Sequence, residues 1–141
     1  MECFLASKMD SIRIRDEGII EKADIMFKDG LNIITGKNAT GKTTVLRAIA
    51  KTGEVRALNG LSLGEKMALC LGGIAGSSLN TCFLLDDVTE GLDSVMVERI
   101  MGKLAESEDQ IVLTMRDARE RLPPGIKANI IDTCSFDLKT T

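Results

Sequence analysis

Gly36-Lys37-Asn38-Ala39-Thr40-Gly41-Lys42-Thr43 fills every fixed position of the phosphate-binding loop G-x-x-x-x-G-K-[ST]. Its flanks carry as much weight as the match. Leu31-Asn32-Ile33-Ile34-Thr35 reads as a buried strand running into the loop, and residues 44–50 continue with a helical apolar pattern. A strand that ends in a glycine-rich turn and opens a helix aims several backbone N–H groups at one point, beside the positive end of the helix dipole. In that setting the residues from Gly36 to Thr44 surround the phosphates. Lys42 reaches the β- and γ-phosphates, and the Thr43 hydroxyl ligates Mg²⁺. The expectation is a nucleoside triphosphate site.

Two further stretches supply chemistry. Phe83-Leu84-Leu85-Asp86-Asp87 is an apolar strand that follows the loop in sequence and ends in paired acids. Asp86 is expected to bind Mg²⁺ through water, and Asp87 to face the γ-phosphate and polarise an attacking water. Neighbours on an extended chain point to opposite sides, but this rule relaxes at a strand end, so both can address one site. Leu61-Ser62-Leu63-Gly64-Glu65-Lys66 precedes a helical stretch. It reads either as an ordinary S-x-x-E capping box or as a second anion site built from Ser62 and the N–H groups near Gly64.

Around these motifs the hydrophobic pattern predicts strands over 3–6, 11–15, 19–27, 31–35, 81–85, 111–114, 130–132 and 134–136. Helices are predicted over 41–52, 64–75, 94–105 and 118–122, with Val97, Ile100, Met101 and Leu104 on one side of the third. Residues 54–60 read as a connector. Strands alternating with helices indicate a three-layer α/β domain with a largely parallel sheet and short antiparallel strands at its N-terminus. Ligands of such sheets bind at the carboxyl ends of the strands, where the loop at Gly36 and the acids at Asp86 both fall.

Composition bounds the rest. A chain of 141 residues with 44 % apolar content is expected to form one domain, 1–141. With aromatics at 3 % and neither Trp nor Tyr, its core is expected from Leu, Ile, Val, Met and Ala. The balance of 18 basic and 21 acidic residues supplies no electrostatic stripe for a polyanion, and 116–121 reads as a solvated helix face. Cys3, Cys70, Cys82 and Cys134 make no C-x-x-C pair and no histidine joins them, which argues against zinc; Cys70 and Cys82 read as reduced core thiols. The apolar run 67–76 is about half a membrane span, and Glu2, Lys8 and Asp10 stand where a signal peptide is apolar. The expectation is a soluble, cytoplasmic protein with no membrane partner.

The order of motifs, G-K-N-A-T-G-K-T, then L-S-L-G-E, then F-L-L-D-D and D-D-V-T-E-G-L-D, resembles the ABC-type ATPases. Within them it is similar to the heads of SMC-like and RecF-like DNA-maintenance ATPases, which start with a short strand pair and a phrase like Phe27-Lys28-Asp29-Gly30-Leu31-Asn32-Ile33-Ile34. The resemblance implies ATP and Mg²⁺ as cofactors and a homodimer that sandwiches two ATP molecules. Each ATP would be held by one copy's loop and the other copy's Ser62 and Gly64, with Asp93 near the shared interface. A partner subunit and DNA association follow from the resemblance alone.

Departures from the family pattern temper the implied rate. Asp87 stands in place of the catalytic Glu, Arg116 in place of the switch histidine, and Leu63 in place of a signature glycine. The only glutamine, Gln110, lies far from the Mg²⁺-sensing position, and 51–60 leaves no room for a coiled coil. Slow hydrolysis is therefore expected. The alternative is a nucleotide-gated interaction module with negligible turnover. A small nucleotide kinase would share the loop but lacks space for a lid. Phe4, Phe27, Arg13 and Arg15 are the candidates for contact with adenine.

Overall fold

The computed structural model describes residues 2–37, 39–51, 56–57, 81–87, 89, 91–107 and 109–139. Among these residues nine strands run in chain order: β1 (Glu2–Ser7), β2 (Ser11–Glu17), β3 (Ile20–Met26), β4 (Leu31–Thr35), β5 (Arg56–Ala57), β6 (Thr81–Asp86), β7 (Gln110–Met115), β8 (Asn129–Asp132) and β9 (Asp137–Leu138). Three α-helices accompany them among the described residues: α1 (Lys42–Lys51), α2 (Ser94–Ala105) and α3 (Ala118–Arg121). The main sheet has the order β5-β1-β6-β7-β4-β8, and β2, β3 and β9 form a smaller sheet. Strands β6, β7, β4 and β8 run parallel, while β1 pairs antiparallel with both β6 and β5. This is the mostly parallel α/β sheet with added antiparallel strands expected of a phosphate-loop NTPase.

Strand alternation sorts the central residues into two apolar layers, one on each face of the main sheet. Ile33, Phe83, Leu85, Ile111, Leu113 and Met115 face Val97, Ile100, Met101 and Leu104 of α2. Ile34, Cys82, Leu84 and Val112 face Val45, Leu46, Ala48 and Ile49 of α1 together with Ile12, Ile14, Ile20 and Ile25 of the small sheet. The helical stripe anticipated on α2 is the one that is buried. Phe27, Phe83 and Phe136 join the aliphatic residues in the core, so the few aromatics are spent inside rather than at the surface.

Several expectations change. Residues 134–136 are not a strand closing the main sheet. The Asp132 carboxylate accepts from Cys134 N–H and winds Thr133–Ser135 into a 3₁₀ turn, after which β9 pairs with β3 in the small sheet. An Asx-type bond of this kind competes with strand pairing, which an apolar pattern alone does not register. The short N-terminal strands are antiparallel as expected: β1 enters the main sheet beside β6, and β2 forms a hairpin with β3. Residues 56–57, within the supposed connector, add a short strand to β1. The predicted helix over 64–75 lies outside the described residues.

Buried amide side chains set the turn before the phosphate-loop strand. Asn32, fully buried, donates to the carbonyls of Lys28, Gly30 and Ile111 and accepts from Lys28 N–H and Asn129. Gln110 bonds both the N–H and the carbonyl of Met9 and donates to Lys28 as well. Its role is therefore to tie β7 to the N-terminal turns.

Candidate functional site

The site is assembled at the carboxyl ends of β4, β6 and β7. The loop after β4 passes through Ala39 at φ +63° and Gly41 at φ +103° before α1 begins at Lys42. Alternating backbone hands of this kind turn successive amides toward one point, the geometry of an anion-binding nest. Gly41 has a second constraint, because a Cβ there would stand 2.9 Å from the Ile20 side chain of the small sheet. Gly36 is held by another contact: a Cβ at this position would lie 1.9 Å from the Thr133 hydroxyl.

Lys42 is 7 % exposed, and its ammonium donates to the Gly36 carbonyl at 2.5 Å, across the mouth of the loop. Burial pulls its pKa below the usual 10.5; Asp87 opposes this, Arg116 adds to it, and Asp117 and Asp86 oppose it. The cation thus sits in a partly desolvated ring of charges from three strand ends. An incoming polyphosphate would supply the negative charge that favours its protonated form.

Thr43 and Asp86, the residues expected to hold a metal, lie side by side. The Thr43 hydroxyl lies 3.4 and 3.3 Å from the two carboxylate oxygens of Asp86, itself 6 % exposed. A hydroxyl and a carboxylate side by side form an all-oxygen donor set suited to a hard cation such as Mg²⁺, and the residues present fit that ion. Asp87 is exposed and adopts φ +54°.

Arg116 follows β7, and its segment is pinned to the loop strand. The Thr35 hydroxyl donates to the Arg116 carbonyl at 2.9 Å and accepts from Ala118 N–H at 3.1 Å. Arg116, Lys37 and Thr40 share a cavity of about 340 Å³ with Arg119, Asp132 and Thr133. A second cavity of about 240 Å³ brings Thr43 and Asp86 together with Phe4, Leu46 and Arg47. Thr44 packs beneath Gly18 of the β2–β3 turn, with its hydroxyl 3.0 Å from where a Cβ would stand. Lys37 is exposed at the loop's edge. Asn38, Ser62 and Gly64 lie outside the described residues.

Among the candidates for base contact, Phe27 is committed to the core and both Arg13 and Arg15 pair with Asp24. Phe4 remains half-buried beside Thr43. Asp93 caps α2, accepting from Met96 N–H at 2.9 Å. Arg121, read as part of a solvated face, instead donates to the Thr89 hydroxyl and to the carbonyls of Thr89 and Leu92. It thereby fastens α3 to the loop after the acids.

Threonines are what sequence reasoning missed. Thr114 donates to Asp86 Oδ1 at 2.6 Å and accepts from Asp87 N–H at 2.9 Å. Thr133 donates to Thr40, whose own hydroxyl donates to the Lys37 carbonyl. The only signal for Thr114 was a polar residue inside the apolar run I-V-L-T-M; Thr133 had none.

β7 lies between β4, which carries the loop, and β6, which carries the acids. The AAA domain family model matches residues 11–114. Among curated relatives, the DNA replication and repair protein RecF of Escherichia coli K12 / DH10B and that of E. coli O157:H7 EC4115 are each 36% identical over 100 residues. The alignment takes in 66% of this chain and 28% of theirs, so the chain spans under a third of those relatives. No solved structure matches at a significant level. With the loop, the acids and the intervening strand in place, the chain belongs to the AAA domain family and is an ABC-type head of the SMC- and RecF-like class.

Proposed function

We propose that this chain binds Mg·ATP, dimerises around it and hydrolyses it slowly. The observation that carries this reading is the convergence of buried Lys42 and Asp86 with half-buried Thr43 at the opening of α1, with Asp87 next door. Family membership and the similarity to RecF support ATP binding and an ATPase. Loop amides and Lys42 would hold the β- and γ-phosphates, while Thr43 and Asp86 would hold Mg²⁺. The metal, when bound, neutralises phosphate charge. Asp87 would accept a hydrogen bond from the attacking water. Its side chain is one methylene shorter than glutamate, a retreat of roughly 1.5 Å that can lower the rate about a hundredfold.

Dimerisation follows from charge. A triphosphate held by one copy presents anionic oxygens that a second copy would reach through Ser62 and Gly64, if the S-x-x-E stretch there opens a helix as its sequence suggests. Loss of the γ-phosphate would remove that attraction and let the pair part. Light scattering on a sizing column tests this: the apparent mass doubles with Mg·ATP and not with Mg·ADP, whereas a monomer in both overturns the dimer. Steady phosphate release that vanishes in Lys42→Ala and Asp87→Ala establishes turnover. Intact ATP-driven pairing with no release favours the nucleotide-gated module instead, a reading motivated by Asp87 and Arg116 in place of the family's Glu and His. The relatives' names place them in DNA replication and repair; retention of duplex DNA with and without Mg·ATP tests that setting here.

A further inference from the structure

We propose that Thr114 is a positioning residue for ATP hydrolysis, one hydroxyl that holds the side chain of one acid and the backbone of the next in fixed relation. The inference rests on the hydrolytic reading of the site and adds a residue to it.

Thr114 is fully buried on β7, the strand between the loop strand and the acid strand. Register sets it level with Ile34 of β4 on one side, and Leu113 level with Leu85 of β6 on the other, so Thr114 stands abreast of Asp86. A threonine hydroxyl has one proton and two lone pairs. The proton goes to Asp86 Oδ1 at 2.6 Å, and a lone pair takes the Asp87 N–H at 2.9 Å. The two bonds therefore share a single oxygen, and neither acid can shift without moving the other's anchor.

Asp87 shows why the anchor is needed. Its φ of +54° places a non-glycine residue in the left-handed region, which is uncommon without a compensating local bond. The Thr114 oxygen supplies that bond, and the turn it stabilises sets the direction in which Asp87 leaves the strand. On its other side, Asp86 lies within 3.3 Å of the Thr43 hydroxyl, so Thr114 orients the carboxylate that the metal pair depends on. Apart from Asp86, the positions around it are apolar: Ile34, Leu85, Leu113 and Met115. Packing alone would favour valine there, since it has the shape of threonine without a hydroxyl to satisfy.

The experiment compares Thr114→Val, which keeps shape and removes the hydroxyl, with Thr114→Ser, which keeps the hydroxyl and removes the methyl. Phosphate release is measured against ATP and against Mg²⁺, alongside thermal melting. In Thr114→Val, kcat falls about tenfold or more, KM for ATP stays within about threefold, and the Mg²⁺ needed for half-maximal rate rises several-fold. Thr114→Ser restores both kcat and the Mg²⁺ requirement to within about threefold of wild type. A purely structural threonine would lower the melting temperature without separating kcat from KM. Wild-type kcat and Mg²⁺ dependence in folded Thr114→Val overturn the proposal, as does a Ser variant as impaired as Val.

Hydrogen exchange on the wild-type protein does not depend on any variant folding. The Asp87 amide should exchange about tenfold or more slowly than the exposed Gly91 amide; equal rates overturn the proposal. Failure of the parent reading looks different. Wild-type protein that releases no phosphate removes the hydrolytic function itself, whereas turnover that survives Thr114→Val removes only the role given to Thr114.

Discussion

Lys42 carries a pH dependence whose sign follows from its surroundings. Burial lowers its folded-state pKa from 10.5, so between the folded and unfolded values the unfolded chain binds more protons, and stability of the nucleotide-free protein from this group rises with pH. Binding has the opposite sign, because the triphosphate needs the cation. Affinity for ATP, measured by titration without Mg²⁺, is expected to fall with rising pH before an ordinary lysine would titrate, and Lys42→Ala is expected to abolish that dependence. Gly36 offers a second test. Gly36→Ala places a methyl 1.9 Å from the Thr133 hydroxyl and should weaken ATP binding about a hundredfold; adding Thr133→Ala should recover part of it. No recovery would mean that phosphate contact, rather than Thr133, excludes a side chain there. The cysteines differ sharply in environment: burial pushes the Cys82 thiol up to about 12, while Cys134 is exposed. Alkylation of native protein near pH 8, mapped by peptide mass, should modify Cys134 and spare Cys82 until the chain is unfolded. At this scale the motif residues were legible because each bears its chemistry in its identity. Thr114 and Thr133 were not, since a threonine acquires its role only when another strand or turn brings a partner to its hydroxyl.

Elements were legible where period and boundary signals agreed. Strand 31–35 and helix 94–105 match their predicted limits, because each is a clean apolar pattern with sharp breaks on both sides. Residues 134–136 failed for a local reason: a side-chain cap from Asp132 redirected a stretch whose apolar content suggested a strand. The short helix α3 was visible, but its purpose was not. Arg121 ties it to Thr89 and Leu92, in the loop between the acids and α2. Arg121→Met keeps much of the side-chain bulk and removes these bonds. Its expected effect is faster amide exchange at Leu92 and Asp93 with little change in global melting, and unchanged exchange there would show that the loop holds its shape without the clamp.

For the molecule as a whole, the layer of α2 on one side and of α1 with the small sheet on the other makes each central strand answer to two cores. Leu104 is fully buried against the first, and Leu104→Ala should cost about 2–5 kcal/mol in denaturant unfolding while leaving the motif residues untouched. The alternation of strands and helices made the layers legible in outline. Strand order was not, because it depends on which distant edges meet. Among the described residues, no helix is long and apolar enough to cross a membrane.

That β1 lies antiparallel to β6, Glu2 opposite Asp86, has a consequence for how the molecule comes into being. Strand β1 must wait for one about eighty positions later, and β4 waits as long for β7. Closing such wide circuits before any reward is collected makes for an unhurried search, so refolding from urea should proceed over milliseconds to seconds rather than microseconds. On the ribosome, a nascent chain that has already exposed its lysine-bearing turn would gain a working ATP pocket only after Met115 has left the tunnel.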